Sequence, residues 1–280
     1  MSRLVTYFNN GSIELNHAVN QPYTDINLAF LLPNADNPLD LELAGAIAAS
    51  PSTLTQTTKQ AISALQASGK KVLLSFGGGT VSSETYHQLA GNETELAQNI
   101  ACFITENQLN GVDIDFEDTG AFTGSAGYNG VDFLVNLTRA LRATLPAANS
   151  LITHAPQPPY LECGNPMGGY VQVMAEAGED IDWLNVQFYN NPPWSSNPQE
   201  IVSSYKKYAQ LPGLNAEKLL IGLPVTEHDA GSGYMPVDEI ISDVIQPVQA
   251  NGALGGMMNW QFSSDKGGAW TEQIGAAIGL

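Results

Sequence analysis

Short runs rich in Val, Ile, Leu and Phe recur along the chain between longer segments whose apolar residues repeat every three to four positions. The first kind reads as buried strands and the second as amphipathic helices, and their alternation is the pattern of a parallel sheet. Strands are predicted at Leu4 to Tyr7, Ile26 to Leu32, Lys71 to Phe76, Gly111 to Phe116, Leu151 to His154, Trp183 to Phe188, Leu219 to Leu223 and Gly255 to Trp260. From the third run onward the starts, at 71, 111, 151, 183, 219 and 255, lie about one strand–helix unit apart. Eight such units predict closure into a barrel.

The expected fold is therefore α/β, a single (β/α)8 TIM barrel occupying residues 1–280 as one catalytic domain. Outer helices are predicted at Leu54 to Ala67, Glu84 to Asn107, Gly130 to Leu145, Pro198 to Ala209 and Val237 to Ala250, with a further helical piece at Leu39 to Ala49. The segment after the first strand is too short and polar to predict a helix. No linker, low-complexity tract or short-period repeat interrupts the chain.

The fourth run carries the chemistry. In Asn110-Gly111-Val112-Asp113-Ile114-Asp115-Phe116-Glu117 the three acids alternate with three apolar residues, so a strand sends the acids to one face and Val112, Ile114 and Phe116 to the other. In a closed barrel the apolar set meets the helices and the acids face the interior. Carboxylates crowded into a poorly solvated space repel one another, so one of them keeps a proton near neutral pH, as a general acid must. Glu117 ends the strand, and the carboxyl ends of barrel strands carry the active site. It is the predicted proton donor, with Asp115 beside it and Asp113 deeper.

Composition narrows the partners. Ten Lys and Arg against 28 Asp and Glu give a net charge of −18, which opposes nucleic acid and anionic membranes. No apolar run approaches the roughly 20 residues of a membrane-spanning helix. The start reads as a strand rather than a signal peptide. The compartment is left open, with the extracellular side favoured through a trimmed signal or unconventional export. Cys102 and Cys163 are too few for a disulfide framework and are expected to be buried or incidental. The four histidines are scattered, so neither a metal nor a cofactor is expected, and the protein is expected to be a monomer. Three Asn-x-Ser/Thr sequons, at Asn10, Asn92 and Asn136, read as chance occurrences.

The acid ladder resembles the Asp-x-x-Asp-x-Asp-x-Glu signature of glycoside hydrolase family 18, with Asn110 where the first Asp is usual. Ser75-Phe76-Gly77-Gly78-Gly79 is similar to that family's Ser-x-Gly-Gly motif, and no Gly-Lys-Ser/Thr follows to make it a phosphate loop. Trp183-Leu184-Asn185-Val186-Gln187-Phe188-Tyr189-Asn190-Asn191-Pro192-Pro193 and Ala155-Pro156-Gln157 resemble the hevamine-like class III chitinases. Gly222-Leu223-Pro224, Gly231-Ser232-Gly233-Tyr234 and Gly256-Met257-Met258-Asn259-Trp260 add to the likeness in the same order. Two cysteines cannot reproduce the disulfides of the plant members.

The resemblance implies a chitinase that cleaves β-1,4-linked N-acetylglucosamine polymers or oligomers with retention, the substrate's 2-acetamido group acting as nucleophile. On that reading Glu117 is acid and then base. Asp115 accepts the acetamide N–H and shares a proton with Asp113, and Tyr189 donates to the acetamide oxygen. Gln187 and Asn190 position the same group, and Trp260 supplies a flat floor for the sugar ring. Tyr7, Phe30, Gln157 and Gly78, near strand ends, are expected to line the groove, and Trp194 either to stack on a distant sugar or to pin its loop. The alternatives are an endo-β-N-acetylglucosaminidase acting on the chitobiose core of N-glycans and a non-catalytic chitin-binding lectin.

Overall fold

A computed structural model of the chain describes residues 2–280. All eight predicted strands form, at Arg3–Phe8, Asp25–Pro33, Lys71–Gly77, Gly111–Asp115, Leu151–His154, Trp183–Gln187, Leu219–Pro224 and Gly256–Trp260. Each pairs in parallel with the next, and the first pairs with both the second and the eighth, which closes the barrel. A short strand, Leu41–Leu43, extends the second strand in antiparallel fashion, Leu43 lying opposite Leu31.

The alternation along each strand sorts side chains into two separate layers. Val112, Ile114 and Phe116 lie in the apolar jacket between strands and helices, together with most of the core. Val5, Tyr7, Ala29, Ala155, Trp183, Tyr189, Leu220 and Met258 form a smaller cluster inside the barrel. Burying each of the three jacket residues of the fourth strand contributes about 1.5–3 kcal/mol. A slip of one residue would exchange them for the acids, so their burial fixes the register that turns Asp113 and Asp115 inward.

The helices depart from prediction where backbone chemistry overrides periodicity. Residues Leu39 to Ala49 are not helical: the Leu41–Leu43 strand is followed by a single 3₁₀ turn at Gly45–Ile47. Gly45 has φ +73°, and a Cβ there would fall 2.8 Å from the carbonyl oxygens of both Ala29 and Asn9. The predicted Glu84 to Asn107 helix is two, Ser83–Leu89 and Glu93–Glu106, separated at Gly91 with φ +89°. The Val237 to Ala250 helix contains a π-helical stretch at Ile240–Ile245, next to Pro247, which has no N–H for a regular ladder. Two unpredicted helices, Gly169–Ala177 and Ala269–Ile278, complete the outer layer after the fifth and eighth strands.

After the first strand the chain makes only a short 3₁₀ helix, Leu15–Asn20, in the place of a full outer helix. A cavity of about 420 Å³ remains between it and the Gln56–Ala67 helix. Cys102 and Cys163 are free and exposed rather than buried. Cys102 projects from the solvent side of Glu93–Glu106, whose buried face carries Ile100, Ala101 and Ile104. No helix among the described residues is long and apolar enough to cross a membrane.

His154, fully buried in the jacket, generates a test of this packing. Thr138 donates to the Leu134 carbonyl at 2.6 Å, so its oxygen is left to accept from His154 Nε2 at 3.2 Å, and the Tyr170 hydroxyl donates to Nδ1 at 3.0 Å. The ring is thereby satisfied as a neutral imidazole, and burial pushes its pKa down to about 3. The unfolded chain takes up a proton near pH 6.5 that the folded chain refuses. The stability held at this site is therefore complete above pH 6.5 and falls as pH drops toward 3. Relative to His154→Gln, the wild type is expected to lose about 3 kcal/mol more between pH 7 and pH 4 in urea unfolding. Parallel stability curves for the two proteins would contradict this account of the ring.

Candidate active site

The fourth strand delivers its acids at three depths. Asp113, with no exposure, sits in the middle of the barrel and accepts four hydrogen bonds. Thr153 Oγ1 and Asn185 Nδ2 donate to Oδ1 at 2.6 and 3.1 Å, and the Tyr7 hydroxyl and Ser75 Oγ donate to Oδ2 at 2.7 and 2.9 Å. Burial pushes its pKa up, and these four donors oppose the push. Four donors match the acceptor capacity of an ionised carboxylate.

Asp115, one layer higher, accepts from Gln187 Nε2 at 2.8 Å through Oδ1. Burial raises its pKa well above the usual carboxylate range, and the charges of Glu117 and then Asp113 add to the rise. Asp115 is therefore the member of the ladder most strongly biased toward holding a proton. Asp113 is filled by four other donors, while Asp115 is held toward Gln187.

Glu117 lies just past the strand end and is half-buried. Burial raises its pKa, while the amides of Gln187 and Gln157 pull the other way. The Gln157 amide donates to Oε2 at 3.3 Å. Gly79 lies against the same oxygen: a Cβ there would stand 3.1 Å from Oε2, so the glycine leaves room for the carboxylate.

These side chains open into a cleft of about 260 Å³ at the carboxyl ends of the strands. Of the residues predicted from sequence, Asp115, Glu117, Gln187, Tyr189, Asn190, Trp260 and Phe30 line it. Phe30 reaches it because the pairing of the second strand slips between Ala29 and Leu31, a bulge that frees the ring from strict alternation. Its ring lies 6.1 Å from that of Trp260 at an interplanar angle of 28°. Tyr7 and Gly78 lie beneath the cleft rather than in it. The Tyr7 ring supports Trp260 at 5.8 Å, and Gly78, at φ +99°, packs under Phe30, where a Cβ would meet the ring at 3.3 Å. Gln157 touches the cleft only through Glu117.

Both hydrogens of the Gln187 amide are committed, one to Asp115 and one to the Ala155 carbonyl at 2.9 Å, so this residue fixes Asp115. The Asn190 oxygen accepts from the backbone N–H groups of Gly231 and Ser232 at 2.7 and 3.3 Å, which ties the loop after the seventh strand to the rim. Tyr189 is 7% exposed. Its phenol is pushed up by burial and by the charges of Asp115, Glu117 and Asp113, so it holds its proton as a donor. Trp194 is pinned, its indole N–H donating to Glu162 at 2.9 Å.

The cleft also includes Asn9, Thr80 and Asp229, which sequence reasoning missed. All three stand in loops beyond strand ends, where neither period nor motif marks them. The two oxygens of Asp229 are occupied, one by Ser264 Oγ at 2.5 Å and the other by the N–H and hydroxyl of Thr226 at 2.8 and 2.7 Å. Among the described residues, no group of three or more His, Cys, Asp or Glu side chains is arranged to hold a metal ion.

Comparison with known proteins agrees with this geometry. The family model described as glycosyl hydrolases family 18 matches residues 3–236. An acidic endochitinase of Arabidopsis thaliana is 30% identical over 262 residues, covering 88% of this chain and 80% of that protein. One from Nicotiana tabacum is 30% identical over 272 residues, covering 92% and 86%. Among solved structures, a GH18 chitinase from Pseudoalteromonas aurantia superposes with a TM-score of 0.98 at 54% identity, covering 99% of this chain and 100% of that one. The chain belongs to glycoside hydrolase family 18 and is a glycoside hydrolase of the (β/α)8 barrel type.

Proposed function

We propose that the protein is a chitinase, cleaving β-1,4-linked N-acetylglucosamine chains with retention through the substrate's own acetamido group. One observation carries the mechanistic part: the cleft holds a single carboxylate free to exchange a proton with substrate. Asp115 lies below Glu117 and is bound to Gln187, and Asp229 has both oxygens occupied. An enzyme nucleophile of the ordinary retaining kind needs a second free carboxylate. The acetamide carbonyl oxygen supplies that attack on the anomeric carbon in its place. The named relatives support the choice of chitin, and the neutral sugar chain suits a site without cationic side chains.

In this reading Glu117 protonates the glycosidic oxygen as the bond to the anomeric carbon breaks and the acetamide oxygen closes an oxazolinium ring. Asp115 accepts the acetamide N–H and keeps its own proton through the cycle, which steadies Glu117 once that residue has become an anion. Tyr189 donates its hydroxyl to the acetamide oxygen, and Trp260 faces the apolar side of the ring. Glu117 then takes a proton from water, which opens the oxazolinium and restores the acid.

Glu117→Gln is expected to lower kcat on a chromogenic chitotrioside by about 10²–10⁴-fold while oligosaccharide binding, read by calorimetry, is kept. Ordinary turnover by that variant would remove Glu117 from the role. A thiazoline analogue of the oxazolinium is expected to inhibit competitively, and absence of inhibition would remove the acetamide from the mechanism. Gln157→Leu deletes a hydrogen bond that favours the Glu117 anion, so its pKa rises further. The alkaline limb of kcat/KM is expected to move to higher pH, and a shift to lower pH would contradict the contact.

A further inference from the structure

Below the acid ladder runs a second column of side chains that the chemistry above does not use. The indole of Trp183, fully buried inside the barrel, has an N–H that can only donate, and it donates to Asn185 Oδ1 at 3.1 Å. That bond settles the orientation of the Asn185 amide, so its Nδ2 is the group that meets Asp113 Oδ1, at 3.1 Å. At the amino end of the barrel the Arg3 guanidinium lies 3.8 Å from the centre of the Trp183 ring and pairs with the buried Asp25 at 3.3 Å. A cation over the ring face holds the indole in place and draws electron density from it, which strengthens its N–H as a donor.

We propose that Trp183 and Asn185, seated on Arg3, are positioning residues that keep the Asp115 carboxyl turned away from Asp113 and at the level of the substrate. The argument is one of occupancy. An ionised carboxylate offers about four acceptor sites, and Asp113 has four donors. Asp115 is its near neighbour along the strand and carries a proton. A free site on Asp113 would draw that proton downward, because an anion is the strongest acceptor in the interior. Three of the donors are hydroxyls, from Tyr7, Ser75 and Thr153, and each of these can rotate or turn acceptor. The amide donor of Asn185 cannot yield, because Trp183 holds its oxygen. With that site closed, Asp115 stays turned toward Gln187 and Glu117. The titratable groups that feel the Asp113 charge are Tyr7 from the first strand, Tyr170 from the jacket, and Asp115 and Tyr189 above.

This inference rests on the proposed acetamide mechanism for its kinetic consequence and on the hydrogen-bond geometry alone for its structural one. The test uses Asn185→Leu, which removes both bonds with a side chain of similar branching, and Trp183→Phe, which keeps an aromatic ring near Arg3 and deletes the N–H together with part of the indole. In the crystal structure of Asn185→Leu at neutral pH the Asp115 carboxyl is expected within hydrogen-bond distance of Asp113, its bond to Gln187 lost. On the chitotrioside its kcat is expected to fall at least about tenfold with KM within about twofold, the loss of one hydrogen bond to a buried charge. Trp183→Phe is expected to shift both readouts in the same direction and by less. Asp115 still bound to Gln187 in Asn185→Leu, or in Trp183→Phe where the first variant does not fold, together with wild-type kcat, would overturn the proposal. A wild type inactive on every N-acetylglucosamine oligomer would instead sink the functional reading, and the position of Asp115 would still decide the role of the column.

Discussion

Three carboxyl groups on one face of one strand, drawn into a space where water cannot screen them, are the constraint around which the rest of the barrel is arranged. Asp113, Asp115 and Glu117 repel one another, and each loses hydration, so the charged state of all three together is strongly disfavoured. The barrel resolves the conflict by treating each depth differently. At the bottom it surrounds Asp113 with donors and accepts a buried anion. In the middle it gives Asp115 a single amide and leaves it protonated. At the top it half-exposes Glu117, so that the group can change its proton with substrate and water. The gradient from saturated to free is what turns a costly cluster into an acid–base device.

The scaffold that enforces this gradient acts through both faces of the fourth strand. The apolar alternates, Val112, Ile114 and Phe116, anchor the strand to the helical jacket, and their burial makes a register slip far more costly than the repulsion among the acids. Neighbouring strands each supply a partner at the right height: Tyr7 and Ser75 on one side, Thr153 and Asn185 on the other for Asp113, then Gln187 and Gln157 for the upper pair. Small residues matter where backbone must come close, as at Gly79 against Glu117. The sugar floor is built in the same way, with Phe30 and Trp260 reaching toward each other from the second and eighth strands, which flank the first.

Much of this was legible in the sequence because strand alternation is a local property. The pattern Asp113-Ile114-Asp115-Phe116-Glu117 states which residues share a face, and the eight apolar runs state the number of strands. Helix boundaries were less legible. Gly91 splits one helix by adopting a conformation that apolar periodicity does not register, and Gly45 prevents another from forming. The short helix Gly169–Ala177 and the apolar helix Ala269–Ile278 lack the broad polar face that marks an amphipathic segment. In the site, residues carried at strand ends were recoverable, whereas Asn9, Thr80 and Asp229 reach the cleft by loop paths that only the folded chain defines. The direction of a hydrogen bond was also beyond the sequence: Gln187 is legible as a polar residue facing the barrel interior, but not the commitment of its amide to Asp115 and Ala155.

The central claim is that burial distributes charge unequally along the ladder, with Asp113 ionised and Asp115 protonated at neutral pH. Neutron diffraction from a deuterium-exchanged crystal near pH 7 reads this directly, because it locates deuterons on carboxyl oxygens. The account predicts nuclear density for a deuteron on Asp115 and none on Asp113, whose two oxygens face the deuterons of Tyr7, Ser75, Thr153 and Asn185. Density for a deuteron on Asp113, or three bare carboxylates, would contradict it.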